Sequence, residues 1–310
     1  MANRYLPEGN YVALPENREY LASQSGLERA MREGRILEAT ALMCDEDMNL
    51  TVDLRGARGI IPKEEIAYIQ DGTPVKDIAV ITRVGKPVCF KVMGFGRDGQ
   101  GRTVAFLSRR AAQIECVNSF LMDLIPGDVI DARITHMEQF GAFVDIGCGV
   151  ISLLSVDCIS VSRISHPRDR FRLGMQIRTV IKSIDRDTGR IYVTHKELLG
   201  TWEENAARFS VGQTVAGVVR SIEDYGVFVE LTPNLAGLAE CRDGVEVGDC
   251  AAVYIKNIIP ERMKFKLVIV DTQENALTSA EPEYYGGDRL HIDRWDYSPP
   301  RCGKRIFTEF

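Results

Sequence analysis

The 310-residue sequence contains the same pattern of strands and turns twice, beginning at Gly127 and at Gly212. Each copy has an alternating apolar strand, an aromatic-glycine turn, a second alternating strand and a short third strand. The two stretches are GDVIDARITHMEQFGAFVDIGCGVISLLSVD and GQTVAGVVRSIEDYGVFVELTPNLAGLAECRD. Two more strands around a polar turn follow from Gly174 and from Gly248. Five short strands in about 70 to 75 residues suit a small closed barrel, in which no strand edge is left unpaired.

A fainter third copy begins upstream at Gly34 with GRILEATALMCDEDMNLTVDLRGARGIIPKEE and ends with KPVCFKVMGFGRDGQGRTVAFLSRR. In its first turn, Met48 and Thr51 occupy the positions where the other copies have an aromatic pair. Those pairs are Phe140 with Phe143 and Tyr225 with Phe228. Because an internal repeat sets the domain count, the sequence predicts three barrels in a row.

The segments beside the copies predict the rest of the organisation. SGLERAMREG predicts a short helix that ends at Gly34. LGTWEENAARFS has a helical composition without flexible linker residues, so we expect a stiff connector anchored by Trp202 and Phe209. The last segment loses the strand pattern but has many aromatic residues, so we expect a tail that folds back onto the barrels. The predicted units are 1–33 (N-terminal extension with the helix), 34–115 (divergent barrel), 126–199 (barrel), 200–211 (connector), 212–272 (barrel) and 273–310 (tail).

Composition excludes several classes of protein. Hydrophobic residues make up 45% and charged residues 26%, and no unbroken apolar run is long enough to cross a bilayer. The first residues contain acids and prolines where a signal peptide would have a basic and then an apolar stretch, so we expect a cytoplasmic protein with no membrane partner. The net charge of -6 excludes a protein that coats nucleic acid by bulk attraction. Any polyanion must therefore bind at local basic patches.

The residues that usually perform chemistry are scattered. The eight cysteines form no Cys-x-x-Cys pair and have no histidine at ligand spacing, so we expect reduced core thiols rather than a disulfide framework or a zinc site. The four histidines have no catalytic spacing, and GFGRDG at residues 94–99 fits a hairpin turn better than a nucleotide loop. We therefore expect no enzyme activity, no cofactor and no metal.

Two aromatic residues lie on the wrong side of their strands for a core role. Alternation in GAFVDIG places Ala142 and Val144 on the buried face and Phe143 on the face that should meet water, and Phe228 repeats this arrangement. An exposed ring can stack on a nucleobase for about 1 to 3 kcal/mol. Gly141 next to the first aromatic would keep the neighbouring surface low. The alternative is that the connector or a neighbouring domain covers these rings.

Cations that could contact phosphates cluster in the second copy. They are Arg163, Arg168, Arg170, Arg172, Arg178, Lys182, Arg186 and Arg190. Guanidinium groups suit phosphate binding. The alternative is a solvated charged loop in which Asp169 and Asp185 offset part of the field. The divergent copy also has a cluster, Arg97, Arg102, Arg109 and Arg110, which without aromatics supports only weak, salt-sensitive contact.

GDVIDARITHMEQFGAFVDIG, HPRDRFRLG and DRDTGRIYVTHKELL together resemble the S1-type RNA-binding domain. Residues 212–271 resemble a second such domain and residues 34–115 a divergent one. The tandem arrangement and TWEENAARF resemble the family of bacterial ribosomal protein S1. The resemblance implies oligonucleotide-binding barrels that bind single-stranded RNA on the face of the second and third strands.

The family's binding positions carry over where the residues match. In the second copy they are Phe140, Phe143, Asp185 and Arg190, with Ser155 in place of the family's histidine. In the third copy they are Tyr225, Phe228 and Lys264, with Glu240 and Ile259 at the histidine and aspartate positions. Those departures imply weaker RNA binding by the third copy.

The sequence therefore predicts a mostly β protein of three tandem five-stranded oligonucleotide-binding-fold barrels, with a short N-terminal helix, a helical connector and an irregular C-terminal tail. We expect the second barrel to be the main platform for single-stranded RNA and the third an auxiliary one that raises avidity. The first barrel would dock onto a protein partner; if this is the small ribosomal subunit, the role is to bring messenger RNA to it. Two alternatives stay open: an RNA-binding regulator of translation or transcript stability that acts away from the ribosome, and a protein-interaction scaffold with covered barrel faces.

Overall fold

The computed structural model describes residues 5–55, 57–69, 72–186, 188–274 and 281–310, which contain three closed five-stranded barrels in chain order. This confirms the mostly β fold and the barrel count that the repeat predicts. The strands of barrel 1 are β1 (Leu37–Cys44), β2 (Leu50–Asp53), β3 (Arg58–Ile61), β4 (Pro87–Arg97) and β5 (Thr103–Ser108). Residues 94–99 lie at the β4–β5 hairpin, where turn chemistry was predicted.

Barrels 2 and 3 repeat the strand order of barrel 1. Barrel 2 consists of β6 (Val129–Glu138), β7 (Gly141–Asp145), β8 (Ile151–Ser155), β9 (Gln176–Asp185) and β10 (Arg190–Thr194). Barrel 3 consists of β11 (Thr214–Glu223), β12 (Gly226–Thr232), β13 (Leu235–Ala239), β14 (Cys250–Ile259) and β15 (Lys264–Gln273). In each barrel the third strand pairs in parallel with the fifth, and this pairing closes the sheet.

Five α-helices accompany the barrels in the described residues: α1 (Pro15–Leu21), α2 (Gln24–Glu33), α3 (Asp77–Ile81), α4 (Arg109–Ser119) and α5 (Trp202–Ala206). The predicted helix α2 begins after Ser23, whose hydroxyl accepts a hydrogen bond from the Gly26 amide, and ends at Gly34 in the left-handed conformation. The connector helix α5 was also predicted, and Trp202 and Phe209 both pack edge-on against the ring of Phe265. Helices α1, α3 and α4 were not predicted.

Barrels 1 and 2 share an apolar core and a buried polar network. Cys89 of barrel 1 and Cys116 of α4 lie in one cluster with Ala142 of barrel 2. Between the barrels, the Glu8 carboxylate accepts hydrogen bonds from the guanidinium of Arg109 at 2.6 and 3.0 Å. Burial alone would raise the pKa of Glu8, but the charge and hydrogen bonds of Arg109, together with the charge of Arg83, outweigh burial and hold that pKa below its usual value. The sequence suggested that Arg109 is an exposed cation able to contact RNA. Arg109 is instead buried in the junction between the two barrels.

Barrels 2 and 3 are joined by a second buried ion pair. Arg170, in the β8–β9 loop, donates to the carboxylate of Glu230 on β12, and their side chains are 8% and 6% exposed. Arg220 on β11 donates to the same carboxylate at 3.0 and 3.2 Å. Nearby, the Asn234 side chain accepts from the Val161 amide at 2.9 Å and donates to the Lys196 carbonyl at 2.8 Å. This network fixes the orientation of the two barrels.

The tail folds back onto both of these barrels, as its aromatic content predicts. The Ile292 amide donates to the Gly127 carbonyl of barrel 2 at 2.9 Å, while Trp295 and Tyr297 lie buried in an apolar cluster with residues of barrel 3. The tail is less irregular than predicted, because β16 (Arg294–Asp296) and β17 (Phe307–Glu309) pair as a ribbon. It therefore bridges barrels 2 and 3 from outside.

A buried histidine holds the start of the tail. Burial lowers the pKa of His195 to about 4, so its ring is neutral near pH 7. Nδ1 of His195 donates to the Ile159 carbonyl at 3.0 Å, and Nε2 accepts from the Tyr284 hydroxyl at 3.3 Å. The same hydroxyl accepts from the Arg178 amide of β9 at 2.9 Å. The tail is thus tied to barrel 2 by a continuous set of hydrogen bonds.

All eight cysteines are free thiols. Five of them are buried, as predicted: Cys89, Cys116, Cys148, Cys158 and Cys302. Cys241 is exposed.

Among the described helices, none combines the length and apolar character needed to span a bilayer.

Candidate nucleic-acid interface

A row of side chains crosses the outer surface of barrel 2. His136, Phe143, Leu153 and Tyr192 are successive cross-strand partners on β6, β7, β8 and β10. All four are partly or fully exposed, whereas the residues on either side of Phe143, Leu153 and Tyr192 along the strands are buried. The alternation of each strand therefore places one apolar and aromatic row on the outside of the barrel.

Phe140, in the turn before β7, adds an exposed ring beside this row. Phe140 is 56% exposed, and its ring meets that of Phe143 edge-on, with centroids 6.0 Å apart at 90°. The His136 ring lies on the other side of Phe143, with centroids 6.0 Å apart and planes within 30°. Neither phenylalanine is sealed under the connector or a neighbouring barrel, so the covered-ring alternative does not hold for this pair.

The glycine beside Phe140 has a different role from the one predicted. Gly141 is buried, and a Cβ atom there would lie 2.5 Å from the Leu154 carbonyl oxygen of the neighbouring strand. Gly226 of barrel 3, at a φ of +151°, would place a Cβ 2.5 Å from the Ala239 carbonyl oxygen. These glycines allow close strand pairing inside the barrels and do not clear a path for a base.

The two polar residues carried over from the family lie at the ends of β9 and β10. Asp185 accepts hydrogen bonds from the Thr188 amide at 3.1 Å and its hydroxyl at 2.6 Å, so it holds the turn. Arg190 is exposed and lies two residues before Tyr192 on the outer face. Its backbone lies opposite that of Asp185 in the register of β9 and β10. Within the part of the chain that the structure describes, Arg190 forms no ion pair. Its guanidinium is therefore available beside the aromatic row.

The structure separates the loop cations that the sequence grouped together. Arg168 and Arg172 are exposed. Arg170 is buried against Glu230, so its charge is used inside the protein and the predicted phosphate contact does not fit its position. Arg178 donates to the Gly287 and Arg289 carbonyls of the tail at 2.7 and 2.6 Å.

Barrel 3 has a reduced version of the same surface. Tyr225 is 69% exposed and meets Phe228 edge-on, with centroids 6.1 Å apart at 90°. The row through Phe228 continues to Ser221 on one side and to Leu238 and Lys266 on the other, so it lacks the second and third aromatic rings of barrel 2. Lys264 is exposed at the first position of β15.

Barrel 1 lacks the aromatic pair, as predicted. Its row consists of Met43, Thr51, Ile60 and Phe106, so Thr51 corresponds to Phe143 by register. Phe106 was missed by the sequence analysis, as were His136 and Tyr192 in barrel 2.

The missed residues could have been found only from strand register. His136 lies on an outward position of its strand, but nothing in the sequence shows that it faces Phe143. Tyr192 is two residues from Arg190, and that spacing on a strand was the one available signal. Among the described residues, no group of three or more histidine, cysteine, aspartate or glutamate side chains could hold a metal ion.

Comparison with known proteins gives the family. Residues 123–196, which include barrel 2, match the model of the S1 RNA binding domain. The small ribosomal subunit protein bS1 of Staphylococcus aureus is 33% identical over 74% of this chain and 57% of its own length. The bS1 homolog of Bacillus cereus is 28% identical over 81% of this chain and 64% of its own, and bS1 of Rhizobium meliloti is 32% identical over 61% and 32%.

The chain thus spans about one third to two thirds of the length of these relatives. The similarity extends over most of the chain, and the match to the family model coincides with the barrel whose outer row has the most aromatic rings. On these grounds the chain belongs to the S1 domain family.

Proposed function

We propose that this protein binds single-stranded RNA on the outer rows of barrels 2 and 3, with barrel 2 as the main site. The observation that supports this most is the exposed Phe140 ring packed edge-on against Phe143, with the exposed Arg190 on the same face. Bases of a single strand expose flat faces that stack on such rings, while base-paired strands do not. Arg190 and the exposed Arg168 and Arg172 would contact phosphates, which need no particular base sequence.

The size of the row on barrel 2 supports contact with more than one nucleotide. The row runs from His136 on β6 through Phe143 to Tyr192 on β10. Its two ends are three strand spacings apart, which amount to about 14 Å at the usual spacing between strands. Stacking of each base contributes about 1 to 3 kcal/mol. A few stacked bases and two or three phosphate contacts would therefore give measurable affinity despite the net charge of -6.

The buried junction between barrels 2 and 3 supports binding of one strand to both. Because Arg170 and Glu230 fix the two barrels, a strand held by barrel 2 would meet the Tyr225–Phe228 pair at a high effective concentration. The second contact then adds avidity even though barrel 3 has fewer rings.

We further propose that the chain brings messenger RNA to the small ribosomal subunit, as the names of its relatives suggest. Sedimentation with purified small subunits tests this part alone. Co-sedimentation at physiological salt is the expected result, whereas an RNA-binding chain that stays in the supernatant would favour the regulator that acts away from the ribosome.

A titration of the intact chain tests RNA binding itself. An unstructured, labelled oligonucleotide should bind, and a duplex of the same sequence should compete poorly. Phe143→Ala should weaken binding by about fivefold to a hundredfold if the ring stacks. Phe307→Ala is the matched control, because Phe307 is 49% exposed on β17, outside all three rows, and should bind like the parent. Equal affinity of the parent and a folded Phe143→Ala variant would reject the proposed site.

A further inference from the structure

Phe106 occupies in barrel 1 the register position that Tyr192 occupies in barrel 2. Phe106 on β5 is the parallel partner of Ile60 on β3, just as Tyr192 on β10 is the parallel partner of Leu153 on β8. Phe106 is 45% exposed, although the residues before and after it on the strand are buried. Barrel 1 therefore presents an aromatic ring on the same outer face. This ring lies two strands away from Thr51, which corresponds to Phe143 of barrel 2.

The surface next to this ring is open. Gly94 on β4 is the antiparallel partner of Phe106, and a Cβ placed at Gly94 would have no atom within 4 Å. A Cβ at Gly96 would lie 3.0 Å from Cε2 of Phe106, so the ring leans over Gly96. Glycine inside a strand weakens it and commonly marks a close approach by a ligand or another chain. Gly94 therefore leaves room for a flat group beside Phe106, while Gly96 accommodates the ring of Phe106 itself.

Two exposed cations on this part of barrel 1 have no carboxylate partner among the residues that the structure describes. Arg58 on β3 is exposed and donates to the Thr51 hydroxyl at 3.3 Å, and Arg97 at the end of β4 is exposed and donates to the Gly101 carbonyl at 3.1 Å. Across the described residues, neither guanidinium forms an ion pair. By contrast, Arg102 is paired with Asp98 at 2.8 Å and Arg110 with Glu65 at 3.6 Å. Both Arg58 and Arg97 lie on strands that pair with β5, the strand that carries Phe106.

We propose that barrel 1 is a third binding site for single-stranded RNA, in which Phe106 stacks on a base over Gly94 while Arg58 and Arg97 contact phosphates. This inference rests on the proposed function of barrels 2 and 3 and assigns to barrel 1 a role that its missing aromatic pair had argued against. Exposed Met43 in the row and exposed Met93 on β4 enlarge the apolar surface, and a protein partner there is the competing outcome of the test.

The test uses the full chain and two uridine oligonucleotides, one about six nucleotides long and one about thirty. Phe106→Ala and Phe106→Leu should each weaken binding of the long strand by about fivefold or more, because both remove the flat ring and leucine keeps the apolar bulk. Binding of the short strand, which barrel 2 alone can hold, should not change. Ile78→Ala is the matched control, since Ile78 is 61% exposed on α3 outside the row.

Photo-crosslinking with 4-thiouridine in the long strand locates the contact. Adducts on the peptide that contains Phe106, in addition to those on the peptide that contains Phe143, are expected. If adducts form only at Phe143 and the Phe106 variants bind normally, the third site is refuted while the proposed function stands. If neither peptide reacts and no variant changes affinity, the proposed function fails as well. If the Phe106 variants keep full RNA affinity but lose association with small ribosomal subunits, the row binds protein and the inference is overturned.

Discussion

Glu230→Gln should destabilise the junction between barrels 2 and 3 far more than an ordinary surface change. The Glu230 carboxylate accepts hydrogen bonds from both Arg170 and Arg220, and it is 6% exposed. Glutamine has nearly the same shape but removes the charge and one acceptor. Arg170 would then keep a buried guanidinium with no carboxylate partner, while Arg220 would retain Asp169 at 3.6 Å.

The expected magnitude follows from this geometry. Removing one partner of a buried ion pair costs about 3 to 5 kcal/mol, because the remaining charge stays desolvated. Because Arg220 keeps its contact with Asp169, the loss in the free energy of unfolding should be near the lower end of that range. Since whole domains are stable by about 5 to 15 kcal/mol, the loss should be plain in urea denaturation followed by circular dichroism.

Two further variants make the measurement specific. Glu19→Gln, which breaks an exposed pair with Arg29, should leave the free energy of unfolding nearly unchanged. Combining Glu230→Gln with Arg170→Met should cost less than the sum of the single changes, because the stranded charge is removed. A Glu230→Gln variant within about 1 kcal/mol of the parent would refute the argument that this pair fixes the two barrels.

Three other outcomes follow from single side chains. Arg190→Gln should reduce the slope of log affinity against log salt by about 0.7, the value of one phosphate contact on a single strand, and an unchanged slope in salt titrations would remove Arg190 from the interface. Burial raises the pKa of Glu38 from 4.5 to about 7. The protonated carboxyl therefore favours the fold below pH 4.5, and this contribution is lost as the pH rises through 7. Urea denaturation across that range should show a weaker pH dependence in Glu38→Gln, and an identical curve would contradict the assignment. Tyr284→Phe removes the acceptor of the Arg178 amide, so hydrogen exchange should speed up at Arg178 and not at Val180, which lies inside the same strand.

The sequence predicted what depends on local period and turn chemistry. Alternation alone placed Phe143 and Phe228 on the outer face, and the repeat showed that both belong to equivalent strands. The cap at Ser23 and the glycine at Gly34 defined helix α2 in the same local way. These features need only neighbouring residues, so they can be inferred without knowing the fold.

Features that depend on distant partners could not be predicted. Arg170 and Arg172 are two residues apart in one loop, yet one is buried because Glu230, sixty residues further along the chain, supplies its counter-charge. His136 joins the aromatic row only through the register between β6 and β7. Phe106 was overlooked because its barrel lacks the expected pair, and only the parallel pairing of β3 with β5 shows that it shares the outer face.

Helix α4 was missed for a related reason. Its buried residues Ala112 and Cys116 are four positions apart, but they are few and lie among polar neighbours. They are buried because β4 of barrel 1 and the core of barrel 2 pack against them, and those contacts are invisible in the sequence.

Carbon-13 NMR of phenylalanine rings during titration with a single-stranded oligonucleotide tests base stacking on barrel 2 most directly. The rings of Phe140 and Phe143 should shift strongly as bases stack on them, while Phe171, which is 1% exposed in the same barrel, should not move. If saturating RNA leaves the ring resonances of both Phe140 and Phe143 unshifted, base stacking on barrel 2 is contradicted, whatever affinity for RNA the intact chain shows.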